Sequence, residues 1–190
     1  MQKRLLVLTA VLAVSLSAFA VDSYTIDPNH SAANFTVKHL AISTVHGRFT
    51  DVSGTIIFDA GDPSKSSVNA VIKAASINTD NSMRDKHLNS PDFFDTAKYP
   101  EIKFQSTSVR KIGEGQYVAV GNLTIKDVSK QVEVPFTLSE GKNMKGVPEL
   151  GVEAHLSLDR VEYHVAYDPN GMAVSKNVNI ELDVEAILAK

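Results

Sequence analysis

Apolar and polar side chains alternate along most of this chain, and the phase of that alternation sets the elements it predicts. Over residues 31–38, Ala33, Phe35 and Val37 fall on one face and Asn34, Thr36 and Lys38 on the other. A period of two marks a strand with one buried and one wet face. The pattern returns at Tyr24 and Ile26 within 22–27, at Phe49, Ile56 and Phe58 within 47–59, and at Val68, Ala70, Ile72 and Ala74 within 67–78. Arms over 101–112 and 116–126 flank Gly113-Glu114-Gly115, which predicts a hairpin. Three further sets follow: Val132 to Leu138, Leu150 to Leu158, and Val178 to Val184, each apolar at every second position. Pro135 points to an edge or a non-bonding position in the first of them. Residues 39–46 break the alternation and read as a turn or a single helical turn. Gly54 reads as a bulge or sharp bend, 61–64, 127–130 and 140–148 as turns or loops, and 160–174 as irregular. About eight strands with short connections define an all-β antiparallel sandwich or barrel.

Residues 81–100, NSMRDKHLNSPDFFDTAKYP, interrupt this succession. Asn81 or Ser82 suits an N-cap, and Met83 with His87, like Arg84 with Leu88, stand four apart, as on one face of a helix. Pro91 ends the helix near Asn89, because the residue before a proline is pushed out of the α region. The prediction is a short helix and a loop lying across one end of the β structure.

The inward-facing set mixes small residues (Ala33, Gly54, Ala70, Ala74, Ala154) with Phe35, Phe49, Phe58 and Phe104. Alternation reports polarity and not volume, so a solid core and an apolar channel both satisfy it.

The first residues change the picture. MQKRLLVLTAVLAVSLSAFA has Lys3 and Arg4 ahead of an apolar run and an Ala18-Phe19-Ala20 small-x-small site. That is the pattern of a cleavable secretory signal over residues 1–20, with one domain over 21–190 and the periplasm as the expected location. With no cysteine in the chain, disulfide and thiolate chemistry are excluded. A net charge of −3 over 190 residues gives no footprint for nucleic acid. The six histidines match no compact metal spacing, and no G-x-S-x-G elbow is present, so no metal, cofactor or catalytic residue is expected. His155 falls between Ala154 and Leu156 and points to solvent.

The run T-D-N-x-x-R-D-K-H-L-x-S-x-D-F-F-D, followed by K-Y-P-E-I-x-F, resembles the signature of the YceI family of secreted, lipocalin-like proteins. Y-x-I-D-P-x-H-S-x-x-x-F-x-V-K-H-L and G-N-L-T-I-K-D-V-S-K extend the resemblance over nearly the whole of residues 21–190. It implies an extended barrel with an apolar channel for a polyisoprenoid, an isoprenoid quinone or a fatty acid derivative. The channel expected on this basis is lined by Phe35, Val37, Phe49, Phe58, Ile72, Phe94, Phe104, Leu123 and Met172. Arg84 and His87 form a polar gate at its mouth, with His39 nearby. A guanidinium suits a phosphate or carbonyl head because its planar fork donates two hydrogen bonds at once. The plain alternative for Arg84 is a structural pair with an acidic neighbour, and for Asp85 an ion pair or cap that pins the helix. The run R-V-E-Y-H-V-A-Y-D-P-N-G-M departs from the aromatic-glycine pair that the family commonly places soon after an arginine, so no role is carried over to Arg160. Two other functions remain compatible: a hydrolase or isomerase using His87 with Asp85, and a solid-cored, stress-related scaffold. The expected partners are a long-chain lipid and, in passing, a membrane; a homodimer is compatible with the sequence.

Overall fold

Backbone pairing carries the alternation into a closed wall. A computed structural model describes residues 21–189, so the predicted signal sequence lies outside the described residues. Its strands are β1 (Asp22–Ile26), β2 (Ala32–His39), β3 (Ser43–Phe49), β4 (Val52–Phe58), β5 (Ser67–Lys73), β6 (Ile77–Asn78), β7 (Glu101–Gly113), β8 (Gln116–Ile125), β9 (Val128–Lys142), β10 (Pro148–Asp159) and β11 (Asn177–Leu188). The one α-helix among the described residues is α1 (Ser82–Leu88). Every pairing is antiparallel, and the order β1-β4-β5-β7-β8-β9-β10-β11 returns to β1, which closes an eight-stranded barrel. Closure removes the outer edges that β1 and β11 would otherwise offer to another chain.

One strand serves two tiers. The C-terminal half of β11 pairs with β1, Tyr24 against Leu188 and Ile26 against Ala186. Its N-terminal half pairs with β2, from Asp183 against Ala32 to Asn179 against Thr36. β1 and β4 therefore close the barrel at one end, while β2, β3 and β6 extend it at the other. The handover is fixed by the turn between β1 and β2. There Asp27 Oδ1 accepts the Asn29 amide at 2.9 Å, and Ser31 Oγ donates to Glu185 O and accepts from Glu185 N.

Several predicted boundaries move. Residues 39–46 are not a helical turn: β2 runs through His39, a tight turn spans 40–42, and β3 starts at Ser43. Leu40 and Ala41 adopt φ of 51° and 55°, and Leu40 N donates to Ala173 O, so a tertiary partner holds a backbone shape that propensity disfavours. The single strand expected over 47–59 breaks after Phe49. The one expected over 67–78 ends at Lys73 in a 3-10 turn, Ala74–Ser76, before the short β6. β9 begins at Val128, because Lys126 at φ 54° completes the turn in fewer residues than expected, and it runs on to Lys142. Gly54 does mark a bend: at φ 149°, an added Cβ would sit 2.1 Å from Asn69 O.

Pro135 lies inside β9, one residue beyond the last β9–β10 pair, Phe136 with Ala154. Its missing N–H therefore breaks no ladder bond on that side. From there on the N-terminal half of β9 pairs only with β8, and the last residues of β10 only with β11. The wall parts at this end, and the segment after β10 fills the gap.

At the β1/β4 end the interior is packed. Phe58 meets Tyr117 edge-on, ring centres 5.7 Å apart, and Tyr117 stacks on Phe136 at 5.5 Å. Leu150 and Ala186 are buried beside them.

Candidate functional site

Further along the axis the packing stops. An internal cavity of about 670 Å³ runs toward the opposite end, lined almost wholly by apolar side chains from the strands. Its volume falls within the ~300–1,000 Å³ usual for small-molecule sites. At roughly 30 Å³ per water-sized group, there is space for about twenty carbon atoms. The solid core left open by the sequence is thereby excluded.

The lining residues exposed to solvent are His39, Ser43, His87 and Tyr167, all at one end, and they mark the mouth. Three segments meet there: the β2–β3 turn, α1 with its following loop, and residues 160–176.

Helix α1 forms as its sequence dictates. Asn81 caps it, its side chain accepting the Arg84 amide at 3.0 Å, and Asn89 ends it. Asp85 does not pair with an arginine: its Oδ1 accepts from Thr79 N at 2.9 Å and Thr79 Oγ1 at 2.6 Å, which ties the helix to the strand before it. Arg84 leans on the same residue, donating from Nε to Thr79 Oγ1 and from Nη2 to Thr79 O, each at 2.7 Å. The structural partner of Arg84 is thus a threonine instead of the acidic neighbour considered above. Its guanidinium lies on the cavity wall with its Nη1 donors unpartnered among the described residues.

His87 also faces the mouth. Its Nε2 lies 3.0 Å from Asp92 Oδ2, and its ring meets Phe93 at 5.0 Å and Tyr167 at 5.1 Å. With Asp85 held by Thr79 and His87 by Asp92, the His87/Asp85 pair weighed for an enzyme is not assembled. His39 sits on the rim, bridged to Val174.

The third segment is built on one side chain. Arg160 is 6 % exposed and donates only to backbone carbonyls: Nε to Ser175, Nη1 to Val165 and Tyr167, Nη2 to Asp168 and Val174, at 2.6–3.0 Å. Burial pulls the guanidinium below its ordinary pKa, offset in part by the carboxylates of Asp168 and Asp159. Asp168 is held below the usual carboxylate range by the backbone amides of Val174 and Ala173, against some desolvation. Burial also pushes the Tyr163 phenol up. Sequence reasoning left Arg160 without a role, and the structure makes it the hub of the segment. The signal was a lone arginine in an irregular stretch rich in backbone acceptors; five carbonyls converging on it cannot be seen before the chain is folded.

Cross-links join the segments. Lys126 Nζ donates to Phe93 O at 2.7 Å and His164 O at 2.8 Å; Lys38 N donates to Ser175 Oγ at 3.0 Å, and Ser175 N donates back to Lys38 O at 2.8 Å.

Of the predicted channel residues, Phe35, Val37, Phe49, Phe58, Ile72, Phe94, Phe104 and Leu123 all line the cavity, as do Arg84, His87 and His39 at its mouth. Phe49 links Phe35 to Phe94, with ring centres 5.7 and 5.6 Å away. Met172 does not belong: it is 78 % exposed, turned outward by the tight turn in which Gly171, at φ 77°, donates to Asp168 O.

Taken together, these features define a closed eight-stranded barrel with an apolar chamber and a polar, helix-capped mouth. The chain belongs to the YceI-like domain family, whose family model matches residues 24–186. It is 38 % identical over 187 residues to a UPF0312 protein of Photorhabdus laumondii, covering 95 % of this chain and 97 % of that one. It is 36 % identical to Protein YceI of Escherichia coli O157:H7 along the full length of both. Among solved structures it resembles the Campylobacter jejuni YceI protein, with a TM-score of 0.73 and 32 % identity over 80 % of this chain and 90 % of that one. BcnA of Burkholderia cenocepacia shares the fold at a TM-score of 0.78 and 23 % identity, over 84 % and 98 %. So does a domain of Saccharophagus degradans described as polyisoprenoid-binding, at 0.69 and 15 %, over 90 % and 100 %.

Proposed function

We infer that this chain is a periplasmic binding and carrier protein for a long-chain amphiphile: a polyisoprenoid, an isoprenoid quinone or a fatty acid derivative. The apolar chain lies in the chamber and the polar head meets Arg84, His87 and His39 at the mouth. The observation that carries this reading is an oily cavity whose solvent-facing end holds a guanidinium with donors to spare. The polyisoprenoid-binding description of the Saccharophagus domain agrees with it.

Magnitudes assign the selectivity. Removing a methylene from water is worth ~0.8 kcal/mol. A chain already dissolved in a bilayer gains almost none of that on entering the barrel, since both surroundings are apolar. Head-group hydrogen bonds and the length of chain the chamber accepts therefore choose the ligand. Binding without turnover is the reading favoured here, because the acid nearest His87 is the exposed Asp92 and the chamber behind it is apolar.

Organic extraction of the purified protein followed by mass spectrometry tests the proposal. A stoichiometric long-chain amphiphile is expected. A protein that emerges empty and takes up neither prenyl nor acyl probes refutes it. Arg84→Ala should lessen the preference for one head group over another; unchanged affinity for anionic and neutral heads removes Arg84 from the site.

A further inference from the structure

The eight large hydrophobic residues exposed among the described ones are not spread evenly. Five of them, Leu40, Ile42, Met83, Tyr167 and Met172, stand on the three segments that form the cavity mouth. Ile42 is 85 % exposed and Met83 82 %. Their neighbourhood is fixed by contacts already described. Leu40 N bonds Ala173 O beside Met172, and Met83 lies one helical turn before His87, which packs on Tyr167. The turn that presents Leu40 and Ile42 keeps two non-glycine residues at positive φ, and the 173–175 strip bonds its first residue and the strand before it.

Each segment also carries an exposed lysine outside any ion pair among the described residues: Lys38, Lys86 and Lys176. Lys176 lies along Gly171, next to Met172, its Cγ 3.1 Å from where a Cβ on that glycine would stand. Of the acids on the same segments, Asp85 is held by Thr79, Asp168 by backbone amides and Glu162 by Lys130, while Asp92 stays at the mouth beside His87. Protruding apolar residues with cations on the same segments suit a protein that seats itself on an anionic bilayer.

We propose that this rim is a membrane-docking surface: it inserts its apolar tips among the acyl chains of a bilayer containing anionic lipid, with the three lysines on the head groups and the cavity mouth facing the membrane. The inference rests on the lipid-binding reading for its purpose. An amphiphile passing between bilayer and chamber through a docked mouth never exposes its chain to water.

The test is flotation of the chain from Val21 onward, which comprises the whole barrel, with vesicles of phosphatidylethanolamine and phosphatidylglycerol and with vesicles of phosphatidylcholine. Binding to the anionic vesicles is expected, weakening with salt. Replacing both Ile42→Ser and Met172→Ser should lower it roughly tenfold. Combining Lys86→Glu with Lys176→Glu should abolish the preference for anionic over neutral vesicles. All four positions are exposed, and circular dichroism checks that the variants keep the fold. Failure to float with either vesicle overturns the proposal, and so does undiminished flotation of the serine variant. A dimer that the serine variant dissociates, with no vesicle binding, assigns the rim to a second copy and overturns it as well. Extraction of the same preparations separates the two readings: a chain that holds its amphiphile yet does not float refutes docking alone. One that floats but is empty supports docking and refutes the ligand.

Discussion

At one end of this barrel Phe58, Tyr117 and Phe136 stack across the axis and Leu150 is 1 % exposed. At the other, Thr79, Arg84, Lys126 and Arg160 sew a helix and two loops together through carbonyls and hydroxyls. The first end is closed by burial, which is proportional to area and indifferent to direction. The second is closed by directed bonds, each needing its partner in place. An apolar guest can be admitted only where closure does not depend on filling the space, which is why the chamber adjoins the bonded end.

The sharpest way to break that comparison is to remove the same atoms from both regions. Leu150→Ala should cost about 4 kcal/mol in chemical denaturation, since a tightly packed site cannot collapse. Leu123→Ala, whose side chain already borders empty space, should cost about half as much. Equal losses would mean that the chamber is packed in solution. Next, Arg160→Met keeps the bulk and leaves five carbonyls without a donor; a loss of about 3 kcal/mol is expected. Limited proteolysis should then cut within 164–175 while the β1/β4 end stays intact. Arg160→Lys should not restore resistance, having too few donors to reach all five acceptors. Gly54→Ala, in the wall between the two ends, should cost about 2 kcal/mol through strain against Asn69 O.

The smallest effect is a pH dependence. Hydrogen bonds from Lys73 and Lys103 lower Glu101 to about 2 from an ordinary 4.5. Because the folded value is the lower one, the stabilisation is fully present above about 4.5 and is lost as pH falls through about 2. Glu101→Gln should flatten the acid limb of the stability curve across that interval by lowering stability slightly above about pH 4.5 while leaving the most acidic values unchanged, and the loss is small because the cluster is open to solvent.

The same contrast explains what could be read from the chain beforehand. Alternation at Phe35, Ile72, Phe104 and Leu123 reports which face is buried, and those residues do face the interior. The α1 boundaries were legible because Asn81 and Pro91 act locally. Volume was not: small and large inward residues yield a plug or a chamber according to which strands bring them opposite one another. Nor was the break at 40–42 legible, since Leu40, at positive φ, donates its N–H to a residue 133 positions away, Ala173. Met172 was misassigned because an apolar residue in an irregular stretch has no phase to follow. Arg160 went without a role because its partners are backbone atoms, which sequence does not distinguish.

The seam between β1 and β11 joins the first and last strands described, with Ala189 N donating to Ser23 O at 2.7 Å. A chain made in sequence order cannot complete the cylinder until β11 has been added. Until then β2 and β1 lack the strand they share, and their hydrogen-bonding edges stay open to stray partners. The interval before ring completion, instead of the finished molecule, is where this protein is most exposed to aggregation and to escorting chaperones.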